Sequence, residues 1–207
     1  MTRLVLVRHG ETIWQAENRY AGSSDIPLSA RGAEQAQLLA KWALTADLAA
    51  LWTSPLLRAR ETAAPSECAT GIAAHVDSRL REIHFGQGEG LTNAEISQTF
   101  PGAFAAFQSD PVSYHLPGGE NPQDVVRRAI ECFNEIEASY PGGRVMVVTH
   151  NTLIRVALCH LLGVPLSKYR TLFPTIDNGA LSEIELQNSQ ASLLRFNLAL
   201  DQPNAPL

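Results

Sequence analysis

The chain has few cysteines and no long apolar run, and each deficit excludes a class of protein. Its three cysteines, Cys68, Cys132 and Cys159, are odd in number and include no CxxC pair, so we expect no disulfide framework and a reducing compartment. No apolar run approaches the roughly 20 residues that cross a membrane. The first residues also lack the pattern of a secretory signal. We therefore expect a cytoplasmic protein that does not bind membranes.

Charge is also sparse and slightly acidic, with 18% charged residues and a net charge of −5. Proteins that bind nucleic acids usually carry a basic surface, so nucleic acid is not expected as a partner. A small anionic substrate remains compatible, because a few arginines in a cleft create a local positive field. A length of 207 residues, with 45% hydrophobic residues, is sufficient for one domain with a substantial core.

Two short apolar runs end in residues that bind phosphate. Leu4-Val5-Leu6-Val7 predicts a buried strand over about residues 2–7, and Arg8 and His9 follow it directly. The run that begins at Val145 ends in the same way, at His150. In open α/β sheets, ligands bind at the carboxyl ends of the strands. Two histidines and an arginine at that edge indicate a site for a phosphate.

Cap and turn signals place helices between the strands. Helices are predicted at about Ala30–Thr45, from Ser54-Pro55, from Thr92, from Asn121-Pro122 and over about Thr152–Leu162. Further strands are predicted at Leu48–Thr53, Ile72–Val76, Leu181–Leu186 and Ser192–Leu198. Residues 100–120 are expected to be irregular or a broken helix that covers the sheet edge. The predicted fold class is α/β: a single-domain three-layer sandwich over residues 1–200, with a mostly parallel sheet, helices on both faces and a C-terminal antiparallel hairpin. Residues 201–207 are expected to be a frayed tail.

Several short motifs occur in order along the chain. They include Arg8-His9-Gly10-Glu11-Thr12, Pro27-Leu28-Ser29, Ser54-Pro55-Leu56-Leu57-Arg58, Leu80-Arg81-Glu82, Gly118-Gly119-Glu120 and Val147-Val148-Thr149-His150. An Arg-His-Gly triplet alone occurs by chance, whereas the full set in this order is specific. The set resembles the histidine phosphatase superfamily, in its phosphoglycerate mutase-like branch, and is most similar to the broad-specificity phosphatase subgroup.

The resemblance implies a role for each of five residues. His9 attacks a phosphoryl group and becomes phosphohistidine, and Glu82 is the proton donor to the leaving oxygen. Arg8 and Arg58 bind the phosphate oxygens through paired guanidinium donors, and they also disfavour protonation of the nucleophile. His150 donates to the transferring group, together with backbone amides of the helix that follows it. Phosphoryl transfer depends mostly on positioning and charge stabilisation, so neither a metal nor a cofactor is expected.

The resemblance also places Gln15, Gly22 and Asn151 among the substrate-binding residues. Gln15 stands where relatives often have asparagine, Asn151 replaces a usual glycine, and Gly88 replaces a common tryptophan. These departures concern the shape of the pocket. Other polar residues are expected to be structural: Glu11, Arg155 and the histidines His75, His84, His115 and His160. Gly86-x-Gly88-x-Gly90 follows no buried strand and is not a dinucleotide loop.

Phosphohistidine can pass its phosphoryl group to water or to a second hydroxyl of the bound substrate. Phe104–Leu116 contains no Arg or Lys to grip a second anionic group, and its Phe104, Phe107 and Tyr114 suit a less polar leaving group. We therefore expect a phosphatase for small-molecule phosphomonoesters, acting as a monomer or homodimer. A phosphoglycerate mutase-type transfer, a non-catalytic phosphate-binding module and a metal-dependent hydrolase that uses His9 and His150 are the alternatives.

Overall fold

The computed structural model of the chain is a central sheet between two layers of helices, and it describes residues 1–188 and 190–200. The strands are β1 (Thr2–Arg8), β2 (Ala50–Thr53), β3 (Ala74–Val76), β4 (Arg144–Thr149), β5 (Leu181–Gln187) and β6 (Gln190–Leu198). The helices are α1 (Ile13–Ala16), α2 (Ala30–Ala43), α3 (Leu57–Thr70), α4 (Asn93–Thr99), α5 (Pro101–Ser109), α6 (Pro122–Ser139), α7 (Asn151–Leu161) and α8 (Tyr169–Leu172). The predicted α/β architecture is confirmed.

The sheet has the strand order β3-β2-β4-β1-β5-β6 within the described residues. Strand β4 pairs in parallel with β1 on one side and with β2 on the other, and β2 pairs in parallel with β3. Strand β5 runs antiparallel to both β1 and β6, as the predicted hairpin requires. The carboxyl ends of β1, β2 and β4 therefore meet at one edge of the sheet.

Both faces of the sheet are buried, which explains why β1 is a continuous apolar run instead of an alternating one. Leu4 and Leu6 point to one face, where they join a cluster with Phe133 of α6. Val5 and Val7 point to the other face and join Leu39 of α2. Alternate side chains of one strand thus hold the two helical layers together.

Most of the predicted caps are present, and one is wrong. Ser29 accepts from the Gly32 amide at the start of α2, and Thr92 and Glu95 form a capping box at α4. Ser54 is not the cap of α3, because that helix begins at Leu57 and Leu56 is its N-cap residue. The Ser54 hydroxyl instead lies within hydrogen-bond distance, 2.7 Å, of a ring nitrogen of His150 at the sheet edge.

Residues 100–120 are more regular than predicted. Nine of them form α5, which has proline in its first turn. Phe107 of this helix is buried in a small separate cluster with Ile96 and Leu116. This apolar packing holds α4 and α5 together beside the sheet edge.

The predicted tail, 201–207, lies outside the described residues. No helix in the described part is long and apolar enough to cross a membrane.

A close backbone approach fixes the segment that follows β1. A Cβ atom on Gly32 would lie 2.1 Å from the carbonyl oxygen of Glu11, whereas one on Gly102 would meet nothing within 4 Å. We expect Gly32→Ala to lower the free energy of unfolding by about 1–3 kcal/mol through overpacking. Gly102→Ala, in helix α5, should raise it by a few tenths of a kcal/mol up to about 1 kcal/mol. Urea denaturation measures both, and equal stability of the two variants would contradict this account.

Candidate active site

The register between β1 and β4 places His9 and His150 side by side. The two strands are parallel, and Arg8 is paired with Thr149. The residue after each strand is a histidine, and the His9 amide donates to the Thr149 carbonyl at 3.0 Å. The centroids of the two imidazole rings lie 5.1 Å apart. Two histidines 141 positions apart in the sequence therefore become neighbours at the sheet edge.

His9 is held in the neutral form with an unprotonated Nε2. Its Nδ1 lies 2.7 Å from the Gly10 carbonyl oxygen, which only accepts hydrogen bonds, so Nδ1 bears the proton. Nε2 accepts from Nε of Arg58 at 3.2 Å. Burial, and then the positive charges of Arg58 and Arg8, hold the pKa of His9 well below its usual value. An imidazole in this state is a nucleophile at acidic as well as neutral pH.

Arg58 lies in the first turn of α3 and is almost completely buried. Its Nη2 donates to the Gly22 carbonyl at 2.6 Å, and its Nη1 donates to the Ser24 carbonyl at 2.8 Å. Gly22 has a φ of +48°, and a Cβ there would lie 2.0 Å from Oε1 of Glu89, so this position requires glycine. The loop between β1 and α2 thus orients the guanidinium against His9.

A partly buried carboxylate keeps that loop in place. Glu89 accepts from the Ser23 amide at 2.8 Å and from the Ser24 hydroxyl at 2.7 Å. It also accepts from the Phe85 amide at 3.0 Å and lies 2.5 Å from Nδ1 of His84. Glu89 therefore ties the loop that holds Arg58 to the segment that follows Glu82. Sequence reasoning gave it no role, since a Glu-Gly pair in a loop has no distinctive spacing.

Glu82 is buried against the start of α7. Its carboxylate oxygens accept from the amides of Ile83 at 2.9 Å, Thr152 at 2.9 Å and Leu153 at 3.1 Å. An anionic side chain is favourable at a helix N-terminus, where amides lack intrahelical partners. The amides of Thr152 and Leu153, expected to face a phosphate, are engaged by Glu82 instead. Glu82 is 6% exposed and is among the residues that line the cavity beside His9.

His150 is completely buried, and only one of its ring nitrogens has a partner. Nε2 lies 2.7 Å from the hydroxyl oxygen of Ser54, and Nδ1 has none. Burial, followed by the charge of Arg58, lowers the pKa of His150 well below its usual value. Ser54 was assigned to a helix cap by its place before Pro55. Only the arrangement of β2 beside β4 reveals its contact with His150.

Unpartnered polar atoms gather around His9. In the described residues, six buried side-chain nitrogen or oxygen atoms have no hydrogen-bond partner, and three of them belong to Arg8, His150 and Asn151. Arg8 donates through Nη1 to the Ile176 carbonyl, while its Nε is unpartnered. Burial lowers the pKa of Arg8 to about 10, so it remains a cation at neutral pH. Nε of Arg8 is an unpaired buried donor, which is rare, and a donor that belongs to a cation is suited to bind an anion.

A cavity of about 310 Å³ opens beside these groups. Its lining includes Arg8, His9, Arg58, Glu82, Gln15, Gly22 and Asn151, which were predicted from the sequence, and Tyr20, Phe85, Asn18, Arg19 and Asn93, which were not. His150 is not among the lining residues, and its ring centroid lies 5.1 Å from that of His9. Nε2 of Gln15 donates to Asn178 Oδ1 at 2.6 Å, and Asn178 in turn donates to the His9 carbonyl at 3.2 Å.

The aromatic side chains of the cavity differ from those predicted. Phe107 is buried in the cluster beside α5, with Phe104 packed against it, and Tyr114 is exposed; none of the three lines the cavity. The cavity wall is formed instead by Tyr20 and Phe85, whose rings pack edge to face at 4.9 Å. Sequence reasoning missed both residues, because each lies in a loop without periodicity.

The two buried neutral histidines make stability depend on pH. In the unfolded chain their pKa returns to about 6.5, so below that pH the unfolded state binds more protons than the folded state. The free energy of unfolding should therefore fall as pH decreases from 7 to 5, by up to about 1.4 kcal/mol per pH unit for each histidine. Urea denaturation at each pH measures the slope. His150→Asn should reduce it, and the exposed-site control His160→Asn should not; an unchanged slope in His150→Asn would contradict the assignment.

Comparison with known proteins places the fold and the motifs in one family. The model of the histidine phosphatase superfamily (branch 1) matches residues 4–199. Phosphoserine phosphatase 1 of Hydrogenobacter thermophilus is 32% identical over 198 residues, covering 96% of this chain and 93% of the relative. A probable phosphoglycerate mutase of Salmonella choleraesuis is 31% identical over 190 residues, covering 92% and 87%.

A solved structure agrees in both sequence and fold. Mycobacterial glucosyl-3-phosphoglycerate phosphatase, in complex with VO3, superposes with a TM-score of 0.86 at 32% identity, covering 94% of this chain and 98% of that one. The resemblance inferred from the ordered motifs is therefore confirmed over nearly the whole chain. The chain belongs to the histidine phosphatase superfamily, branch 1.

Proposed function

We propose that the protein hydrolyses small-molecule phosphomonoesters through a phosphohistidine on His9. The observation that supports this most directly is the state of that side chain: a buried, neutral imidazole whose Nε2 lone pair faces a guanidinium next to an open cavity. The names of relatives as phosphoserine phosphatase and glucosyl-3-phosphoglycerate phosphatase support the same reaction class.

In the first step, the Nε2 lone pair of His9 attacks phosphorus and the bond from phosphorus to the ester oxygen breaks. The electron pair of that bond leaves with the ester oxygen, which takes a proton from the carboxyl group of Glu82. The guanidiniums of Arg8 and Arg58 and the unpartnered Nδ1 of His150 stabilise charge on the phosphoryl oxygens. For His150 to donate from Nδ1, the Ser54 hydroxyl donates to its Nε2.

In the second step, water attacks phosphorus on the phosphohistidine. The Glu82 carboxylate takes a proton from the water, and the electron pair of the nitrogen–phosphorus bond returns to Nε2 of His9. Inorganic phosphate leaves, and Glu82 is again protonated for the next cycle. The hydrogen bond from Nδ1 of His9 to the Gly10 carbonyl holds the ring in the same orientation throughout.

Hydrolysis is favoured over a mutase reaction by the walls of the cavity. Asn18 and Asn93 line it and are exposed, so water reaches the site. Residues 104–116, which do not line the cavity, contain no Arg or Lys that would reach into it and retain a phosphorylated intermediate. The free thiols of Cys68, Cys132 and Cys159 fit a reducing compartment, and we assign the enzyme to the cytoplasm.

Removing the nucleophile tests the reaction. His9→Ala should abolish release of inorganic phosphate from p-nitrophenyl phosphate, while His160→Ala, at an exposed site, should retain wild-type activity. Mass spectrometry of the wild type, mixed with substrate and denatured at alkaline pH, should show a phosphoryl group on His9 that acid treatment removes. Vanadate should inhibit, and EDTA should not.

Three outcomes would contradict the proposal. A label on serine or cysteine would overturn the mechanism. Loss of activity with EDTA would favour the metal-dependent hydrolase. Phosphate binding by calorimetry without turnover of any phosphomonoester would favour the non-catalytic module.

The proton-donor role of Glu82 makes a separate prediction. A poor leaving group such as an alkoxide needs the proton, whereas p-nitrophenolate does not. Glu82→Gln should therefore lower kcat/KM about 10²–10⁴-fold for an alkyl phosphate and much less for p-nitrophenyl phosphate. Steady-state kinetics on the two substrates measures the ratio. An equal loss on both would assign Glu82 a structural role at the start of α7.

A further inference from the structure

We call the lining away from Arg8, His9, Arg58 and Glu82 the outer part of the cavity, and apart from Arg19 its side chains are uncharged. The inner residues His9, Arg58 and Glu82 are buried, whereas Asn18 and Asn93 are exposed. The lining also includes Gln15, Tyr20 and Phe85, which are half-buried. Amides donate to and accept from hydroxyl groups, and aromatic faces pack against apolar or ring surfaces. This outer part is where the leaving group of a bound phosphomonoester would lie.

Among the described residues, Arg19 is the one cation in the outer part of the cavity lining. Two carboxylates pair with it. Its Nε donates to Glu17 at 2.6 Å, and its Nη1 donates to Glu95 at 3.0 Å and to the Gly90 carbonyl at 2.8 Å. Glu95 is itself fixed, because it accepts from the Thr92 amide at 2.7 Å in the capping box of α4. Two negative charges and one positive charge leave this position negative overall.

The inner cations are already assigned to the phosphate. Arg58 donates to two backbone carbonyls and to His9, and Arg8 lies beside it at the end of β1. The charged side chains of the described lining are Arg8, Arg58, Arg19 and Glu82, and of these only Glu82 is acidic. A second anionic group on the substrate would therefore find no unpaired cation in the cavity and a negative pair at its mouth. Burial of an unpaired carboxylate is costly.

We propose that the natural substrate has a leaving group without a carboxylate: an uncharged, hydroxyl-bearing alcohol with an apolar or ring surface. Glu17 and Glu95 determine this specificity by neutralising Arg19. The proposal rests on the proposed phosphatase function and narrows it. Phosphoserine and phosphoglycerate, which appear in the names of relatives, both carry a carboxylate beside the phosphate ester, so this chain is assigned a different substrate class from theirs.

A matched pair of substrates tests the class. Glycerol 3-phosphate and 3-phosphoglycerate differ only in a hydroxymethyl group in place of a carboxylate. A second pair, 4-(hydroxymethyl)phenyl phosphate and 4-carboxyphenyl phosphate, places the same difference on a ring. We expect kcat/KM for the uncharged member to exceed that for the carboxylate by tenfold or more in each pair. A ratio near or below one in either pair overturns the proposal.

Charge-neutral variants test the role of the two carboxylates. Glu17→Gln/Glu95→Gln frees Arg19 and retains the capping box, because glutamine still accepts from the Thr92 amide. We expect KM for the carboxylate substrates to fall at least fivefold, with little change for the uncharged ones. Glu34→Gln/Glu131→Gln, which removes two exposed charges away from the cavity, is the control and should leave the ratio unchanged. Equal effects of the two double variants would show that only net charge matters, and would overturn the role of Arg19.

Failure of this inference is distinguishable from failure of the proposed function. An inactive protein would release no phosphate from p-nitrophenyl phosphate or from any member of either pair. A phosphatase of another specificity would hydrolyse p-nitrophenyl phosphate and prefer the carboxylate substrates.

Discussion

The parallel pairing of β1 with β4 is the constraint on which the site depends. The hydrogen bond from the His9 amide to the Thr149 carbonyl continues the ladder one step beyond β1. It sets both histidines at the same level of the sheet edge, and β2 on the other side of β4 brings Ser54 to His150. A shift of register by one residue would turn every side chain of β1 to the opposite face. The alternate apolar side chains of β1, which pack into both helical layers, therefore also fix the position of the two imidazoles.

Positive charge exceeds negative charge at this edge of the sheet. Arg8 and Arg58 are cations in a buried setting, and burial is the largest cause that lowers the pKa of each. The carboxylate of Glu82 offsets part of this positive charge, but its oxygens accept hydrogen bonds from the amides at the start of α7. Burial, together with this positive potential, keeps His9 and His150 neutral, and the potential favours binding of a dianion. In the proposed mechanism, the same charges therefore help to keep His9 unprotonated and attract the phosphoryl group.

The two ends of the cavity obey different constraints. At the inner end, backbone carbonyls of Gly10, Gly22 and Ser24 orient the His9 imidazole and the Arg58 guanidinium. At the mouth, Tyr20 and Phe85 lie in loops and pack against the small cluster beside α5. Loops accept more variation than the elements they connect. Such a division lets one phosphoryl-transfer site serve many alcohols, and it agrees with the different substrates named for relatives of similar fold.

Much of the fold was predictable from the sequence by itself, because local rules govern it. The apolar run before Arg8 predicted a strand buried on both faces, and Asn121-Pro122 predicted the start of α6. The ordered motifs also named the residues around the cavity, including His9 and Arg58, although their catalytic roles stay predictions. Only the tertiary structure decided that Ser54 contacts His150 instead of capping α3, that Phe107 is core while Phe85 lines the cavity, and that Arg19 is neutralised by Glu17 and Glu95. The physical reason is that periodicity and capping act over a few residues, whereas each of these outcomes depends on atoms that loops without periodicity bring together.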